Sequence, residues 1–294
     1  MPRSGNLLGM AQAPASPPPA PAPLSGVRRV IAVGAGKGGV GKSTVAVNLA
    51  LALQRGGARV GLMDGDVYGP SIPTMLGTHQ RPSGSGPNHI EPIEAYGLKL
   101  MSMGFLLDPA KPMVVRGPIV HTVIRQFLGD VVWGDLDWLI VDLPPGTGDV
   151  ALSLAQSAQV TGAVVVSTPQ DVALVDVHRA VGMFRTLKVP VVGLVENMSW
   201  YECPSCHHRD EVFGHGGAKT WAAKERIPFL GGVPLHASVV SGGDAGRPAL
   251  ADPATPDNVR KAFFALADVL RATVETLEQQ EPPPPLIQIE GLKR

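Results

Sequence analysis

One stretch restricts the fold more than any other. Residues Gly36 to Ser43 read GKGGVGKS and are followed by Thr44, which fits G-x-x-x-x-G-K-[ST] with Gly36, Gly41, Lys42 and Ser43 in the defining places. A phosphate-binding loop of this kind needs a strand before it and a helix after it. Both are predicted. Val30 to Val33 is a short β-branched run, and Val45 to Gln54 continues as an apolar-rich helix. Gly36, Gly38, Gly39 and Gly41 let the backbone around Val40 turn its N–H groups inward as an anion nest, with the helix dipole beneath. Lys42 is placed to reach the β- and γ-phosphates and Ser43 to offer a hydroxyl to Mg²⁺, a cation that prefers oxygen ligands. Lys37 adds a second cation straight after the first glycine. The residues alone leave open whether it is a solvated surface lysine.

The remaining pattern predicts an α/β chain with a doubly wound, mostly parallel sheet covered on both faces. Further strands are expected at Ala58–Met63, Leu98–Met103, Trp138–Val141, Ala163–Val166, Val191–Val195 and Ile227–Val233. Helices are expected at Pro118–Leu128, Val150–Ala158, Ala173–Leu187 and Pro256–Glu278. Their apolar stripes (Ile119, Val123, Ile124 and Phe127; Leu174, Val177, Val181, Phe184 and Leu187; Val259, Phe263, Leu266, Val269 and Leu270) read as core. Val67 to Leu76 reads as a loop and Arg81 to Pro92 as a surface excursion. Two acidic strand ends stand out, since carboxylates there face the crevice where such sheets bind ligands. Asp64-Gly65-Asp66 ends one, where Asp64 and Asp66 either cap a turn or position water. Asp142 ends the other, as a Walker B acid holding Mg²⁺ or its water. Asp149 is expected as the N-cap of the helix that follows.

Composition bounds the rest. Basic and acidic residues number 25 each, which gives no basic excess for nucleic acid or an anionic membrane. The chain contains no run long and apolar enough to span a bilayer. Pro and Ala dominate Ala13 to Pro23, so residues 1–26 read as a disordered segment and not as a secretion signal; the ATPase domain is expected over 27–280 and a Pro-broken tail over 281–294. Cys203 and Cys206 are the only cysteines. That excludes a disulfide framework and points to a reducing cytoplasm. The pair allows a zinc site with two of His207, His208 and His215, a thiol–disulfide couple, two buried structural thiols, or a four-thiolate site completed by a second chain across a two-fold axis.

The lysine-bearing loop resembles the deviant Walker A class that includes the MinD, ParA and nitrogenase iron-protein ATPases. Further motifs narrow the resemblance to the Mrp/ApbC iron–sulfur cluster carriers. They are DGDVYGPS at Asp64–Ser71, SMGFLL at Ser102–Leu107, RGP at Arg116–Pro118, WGDLDWLIVDLPPGTGD at Trp133–Asp149, VENMS at Val195–Ser199, CPSC, and FGHGGA at Phe213–Ala218. The resemblance implies an ATP-dependent homodimer that holds a [4Fe–4S] cluster between its subunits and passes it to apoproteins. It implies that Lys37 reaches the partner's nucleotide, that Asp66 orients the attacking water, that Asp142 is the Walker B acid, that Asn197 contacts adenine, and that Cys203 and Cys206 ligate the cluster. Hydrolysis is expected to be slow, because no strong general base stands out. Only the Pro/Ala-rich stub precedes the ATPase segment, where many bacterial members carry a small domain. The rival expectation is a MinD/ParA-like positioning or partitioning switch that carries no cluster.

Overall fold

The computed structural model describes residues 21–280, apart from 87, 108–116, 147 and 215. In chain order the strands are β1 (Val30–Gly34), β2 (Val60–Asp64), β3 (Gly84–Gly86), β4 (His89–Ile90), β5 (Ile93–Ala95), β6 (Leu98–Met101), β7 (Trp138–Asp142), β8 (Gly162–Ser167), β9 (Val191–Glu196), β10 (Tyr201–Glu202), β11 (Arg209–Asp210) and β12 (Phe229–Gly232). The helices are α1 (Lys42–Arg55), α2 (Ile72–Met75), α3 (Gly117–Gly129), α4 (Gly148–Ser157), α5 (Asp171–Thr186), α6 (Gly217–Glu225), α7 (Ala237–Asp244) and α8 (Asp257–Gln280).

The central sheet has the order β12-β9-β8-β1-β7-β2-β6-β5, parallel except for the edge strand β5. Its middle strands read as continuous apolar runs, VIAVG, VGLMD and WLIVD, because helices cover both faces and no side of the pleat meets water. Alternate residues of β1 feed two cores. Ile31 and Val33 pack with α1 and α8, while Val30 and Ala32 pack with α3, α4 and α5. The chain leaves β1 toward β2 on one side and later crosses back to β8 on the other, so the carboxyl ends of β1, β7 and β8 form the switch point where such sheets bind ligands.

A part-buried ion pair pins the far end of α8. Arg29, 5% exposed, donates through Nε and Nη2 to both carboxylate oxygens of Glu278 at 2.6 and 2.7 Å. Its guanidinium lies 4.6 Å from the ring centroid of Trp138. The bidentate fork and the ring face together satisfy a charge that burial alone would penalise.

Several elements differ from the sequence expectation. The segment read as a loop contains the short helix α2, entered through Ser71 with Pro73 in its first turn, a position that needs no N–H donor. The excursion at 81–92 holds the small β3–β4 pair, and Ile93–Ala95 adds the antiparallel edge. Ile119 and Val269 lie exposed beside otherwise buried stripes, with Val120 in the core in place of Ile119. Asp149 is the second residue of α4 and not its cap; its carbonyl accepts from the Ser153 hydroxyl. Helices α6 and α7 were not expected, since both are short and glycine-bearing and carry little apolar periodicity. Residues 1–20 and 281–294, Arg116 of the RGP motif, Thr147 and His215 lie outside the described residues.

Candidate functional site

The loop after β1 enters α1 through Gly41, which takes φ 77° and offers no side-chain cap; the first turn of the helix carries no acidic residue either. An open helix N-terminus without a carboxylate is built to receive an anion. Only glycine fits at position 41. A Cβ would strain the left-handed backbone and meet Nδ2 of Asn197 at 2.2 Å. Gly36 is restricted for another reason, since its Cβ would meet the main-chain carbonyl of Asp176 in α5 at 2.1 Å. Gly38 and Gly39 are exposed, Val40 is buried, and Ser43 and Thr44 are half-buried at the start of α1.

Lys42 does not reach outward. Its Nζ donates to Oδ1 of Asp142 at 2.5 Å and to the Ser43 hydroxyl at 3.1 Å. Asp142 is fully buried, and its Oδ2 has no hydrogen-bond partner among the described residues. Burial pushes the Asp142 carboxyl up, while the Lys42 ammonium and the Ser43 hydroxyl pull the other way. An orphaned buried carboxylate oxygen beside a helix-start hydroxyl fits a hard divalent cation. Asp142 Oδ2 and Ser43 Oγ are the donors that would hold Mg²⁺ here, which would neutralise phosphate charge.

Parallel pairing of β2 with β7 sets Asp64 opposite Asp142. Asp64 is buried and accepts from the Ser102 hydroxyl at 3.0 Å, the Ile72 N–H at 3.3 Å and the Asp66 N–H at 3.1 Å. Burial, with Asp142 as second cause, pushes its carboxyl up to about 7. Asp66 is half-buried, and its Oδ1 accepts from the Gly69 N–H at 3.1 Å, which folds the following loop back over the strand end. The Lys37 ammonium makes no hydrogen bond or ion pair among the described residues.

Asn197 follows β9 and is buried. Its Nδ2 donates to the Val40 carbonyl at 2.9 Å, so its amide nitrogen braces the phosphate loop. Beside the loop, a cavity of about 340 Å³ is lined by Gly34, Ala35, Gly36, Pro144, Arg179 and Met183 among others.

Cys203 and Cys206 sit at the tip of the β10–β11 hairpin. Cys203 donates its N–H to the His208 carbonyl and accepts from the His207 N–H, both at 2.9 Å; His207 takes φ 57° to close the turn. Cys203 is half-buried and Cys206 exposed. The Cys203 thiol is held below the usual thiol range by the main-chain N–H groups of Cys206 and Ser205 and by the Cys206 thiol. His207 is turned to Glu202, Nδ1 to Oε1 at 3.2 Å, and Glu202 also accepts from Asn258 of α8 at 3.0 Å. Among the described residues no group of three or more His, Cys, Asp and Glu side chains is gathered to hold a metal ion.

Sequence reading named the loop, both strand-end acids and the cysteine pair, but missed Glu196. Its carboxylate joins Ser199 to α6. Only its place in the VENMS motif could have drawn attention to it.

Comparison with known proteins gives the family. The profile of the ParA family, described as NUBPL iron-transfer P-loop NTPase, matches residues 26–271. The iron-sulfur cluster carrier protein of Deinococcus radiodurans is 52% identical over 258 residues, 87% of this chain and 71% of its own. The mouse iron-sulfur cluster transfer protein NUBPL is 48% identical over 251 residues, 85% of this chain and 79% of its own. The chain spans 66% of the Haemophilus influenzae carrier, to which it is 49% identical over 247 residues, 83% of this chain. Among solved structures, a nucleotide-binding protein of Archaeoglobus fulgidus in complex with ADP superposes with TM-score 0.69 at 39% identity, over 81% of this chain and 92% of its own. The Pyrococcus furiosus cell division ATPase MinD, 21% identical with TM-score 0.60 over 83% of this chain and 98% of its own, shares the fold. No helix among the described residues is long and apolar enough to cross a membrane. The chain belongs to the NUBPL iron-transfer P-loop NTPase family.

Proposed function

We propose that this protein is an ATP-dependent iron–sulfur cluster carrier of the cytoplasm. It works as a homodimer, takes a [4Fe–4S] cluster as cargo at Cys203 and Cys206 from each of two chains, and passes it to apoproteins. The observation that carries the reading is the cysteine hairpin. It presents two thiols, one exposed and the other lowered toward thiolate, with no further ligand gathered beside them among the described residues. A four-thiolate site then needs a second copy, and a two-fold axis supplies it.

Nucleotide roles follow from the loop. On ATP binding, Lys42 would leave Asp142 for the β- and γ-phosphates, and Asp142 and Ser43 would then hold Mg²⁺, which would neutralise phosphate charge. The N–H groups from Gly36 to Thr44 cradle the phosphates. Lys37, without an ion pair among the described residues, reaches the partner's nucleotide; Asp66 orients water; Asn197 lies toward the adenine while bracing Val40. Hydrolysis by the chain alone is slow. The balanced charge argues against nucleic-acid and membrane partners. The positioning-switch alternative shares the fold but gives the cysteine hairpin no task.

The test is anaerobic reconstitution with iron and sulfide, reading iron, acid-labile sulfide, zinc and oligomeric mass together. About two irons and two sulfides per chain in a dimer, lost in Cys203→Ser with nucleotide binding retained, supports the carrier. Zinc alone, or no metal with nucleotide-dependent dimerisation intact, would move the assignment to the switch.

A further inference from the structure

Glu196, at the end of β9, is buried with its carboxylate divided between two places in the chain. Oε1 accepts from the Ser199 hydroxyl at 2.5 Å, and Oε2 accepts from the Ala218 N–H at 2.9 Å in the first turn of α6. Ser199 and Ala218 are the two ends of the excursion that carries Cys203 and Cys206. One side chain therefore closes its neck. The cap residue of α6, Gly216, has no side chain to serve that helix start, so the distant carboxylate meets both an open N–H and the positive end of the helix. On the inner leg, the Ser199 N–H donates to the Val233 carbonyl at 2.8 Å and the Leu235 N–H to the Trp200 carbonyl at 2.7 Å. The neck is thus fixed to the sheet as well.

The neighbouring residue faces the other way. Asn197 holds the Val40 carbonyl, one residue before the glycine that starts α1, and Met198 takes φ 56° to turn the chain between the two grips. Contact across this junction is tight, since even a Cβ on Gly41 would collide with Asn197. A loop that shifted as Lys42 exchanged Asp142 for a phosphate would press on Asn197, and Glu196, one peptide unit away, grips both legs of the hairpin.

We propose that Glu196 is a positioning residue coupling nucleotide occupancy to the presentation of Cys203 and Cys206. The nucleotide exchange and the identity of the cargo rest on the function proposed above; the coupling does not need the cluster.

The experiment uses the reduced, cluster-free full chain and measures thiol modification by a small uncharged maleimide without nucleotide, with MgADP, and with a non-hydrolysable Mg–ATP analogue. Wild type is expected to change its rate by roughly fivefold between the nucleotide-free and nucleotide-bound states, the lower end of ordinary coupling. Glu196→Ala should bind nucleotide within about twofold of wild type and lose the rate difference, while Glu196→Gln, which keeps a polar atom for each leg, restores it. If Glu196→Ala melts too low to measure, Ser199→Ala cuts one leg only and decides by the same ratio. A wild-type rate indifferent to nucleotide overturns the proposal, as does a wild-type ratio in the variant that removes the grip. Because no cluster is present, failure to bind iron would count against the carrier reading and leave this result standing.

Discussion

The Lys42–Asp142 pair should dominate the stability of the nucleotide-free protein. Lys42 is 7% exposed and Asp142 0%, and one oxygen of Asp142 already has no partner among the described residues. Lys42→Met keeps the length of the side chain and removes its charge, which leaves a buried carboxylate unpaired. Breaking such a pair from one side costs about 3–5 kcal/mol. For a domain of this size that is a fall in Tm of roughly 6–20 °C. The loss must depend on pH. Burial already raises the folded carboxyl of Asp142 above its unfolded value, and Lys42 is the main opposing influence; without it the folded pKa rises further. A raised carboxyl favours the fold at low pH, and that benefit is lost as pH rises through the folded pKa. The penalty of Lys42→Met should therefore be large at pH 8 and shrink toward pH 5. Adding Asp142→Asn to the same chain removes the charge and should recover most of the loss at pH 8. Denaturant or thermal melts of the four chains, without nucleotide and at both pH values, provide the double-mutant cycle. A Lys42→Met chain as stable as wild type at pH 8, an equal deficit at both pH values, or no recovery in the double variant would refute the reasoning.

Asp64, raised to about 7 mainly by burial, should make wild type lose up to about 4 kcal/mol between pH 4 and pH 7 relative to Asp64→Asn, with a plateau above; parallel stability curves for the two chains would contradict this. Gly41→Ala should cost about 1–3 kcal/mol from its φ of 77° and weaken nucleotide binding more than tenfold, roughly, as Asn197 is pushed away; calorimetric titration with MgADP reads the second effect. Arg29→Met leaves Glu278 without its fork, although that carboxylate is 33% exposed and water softens the loss to about 1–3 kcal/mol. The damage should concentrate at the end of α8, with faster amide exchange there and unchanged nucleotide affinity. Asp66→Ala should retain MgATP binding and lose most turnover, at least about tenfold; full turnover would remove Asp66 from the reaction.

The sequence by itself determined the layered α/β class and where along the chain its main strands fall. Continuous apolar runs ending in Gly34, Asp64 and Asp142 can be satisfied only by a sheet covered on both faces. It also determined the anion site, because glycine spacing and a lysine-serine start to a helix are local backbone properties. The resemblance named the cysteine pair. Elements with weak periodicity escaped it, as at α2, α6 and α7, and so did the exposed faces of Ile119 and Val269.

Tertiary structure decided which of these residues meet. Lys42 and Asp142 are 100 positions apart, and Asn197 and Val40 are 157 apart. Their pairing depends on β1 lying between β7 and β8 and on β9 following β8. Periodicity shows which face of an element is apolar, whereas strand order and register are settled by how all the elements pack at once. Asp64 stands opposite Asp142 only because β2 pairs with β7 in that register, and burial at that strand end, with Asp142 as second cause, raises its carboxyl. Glu196 read as the polar end of one more strand. Only the fold brings Ser199 and Ala218 to the same carboxylate, because a side chain's partners are fixed by long-range packing and not by its neighbours in sequence.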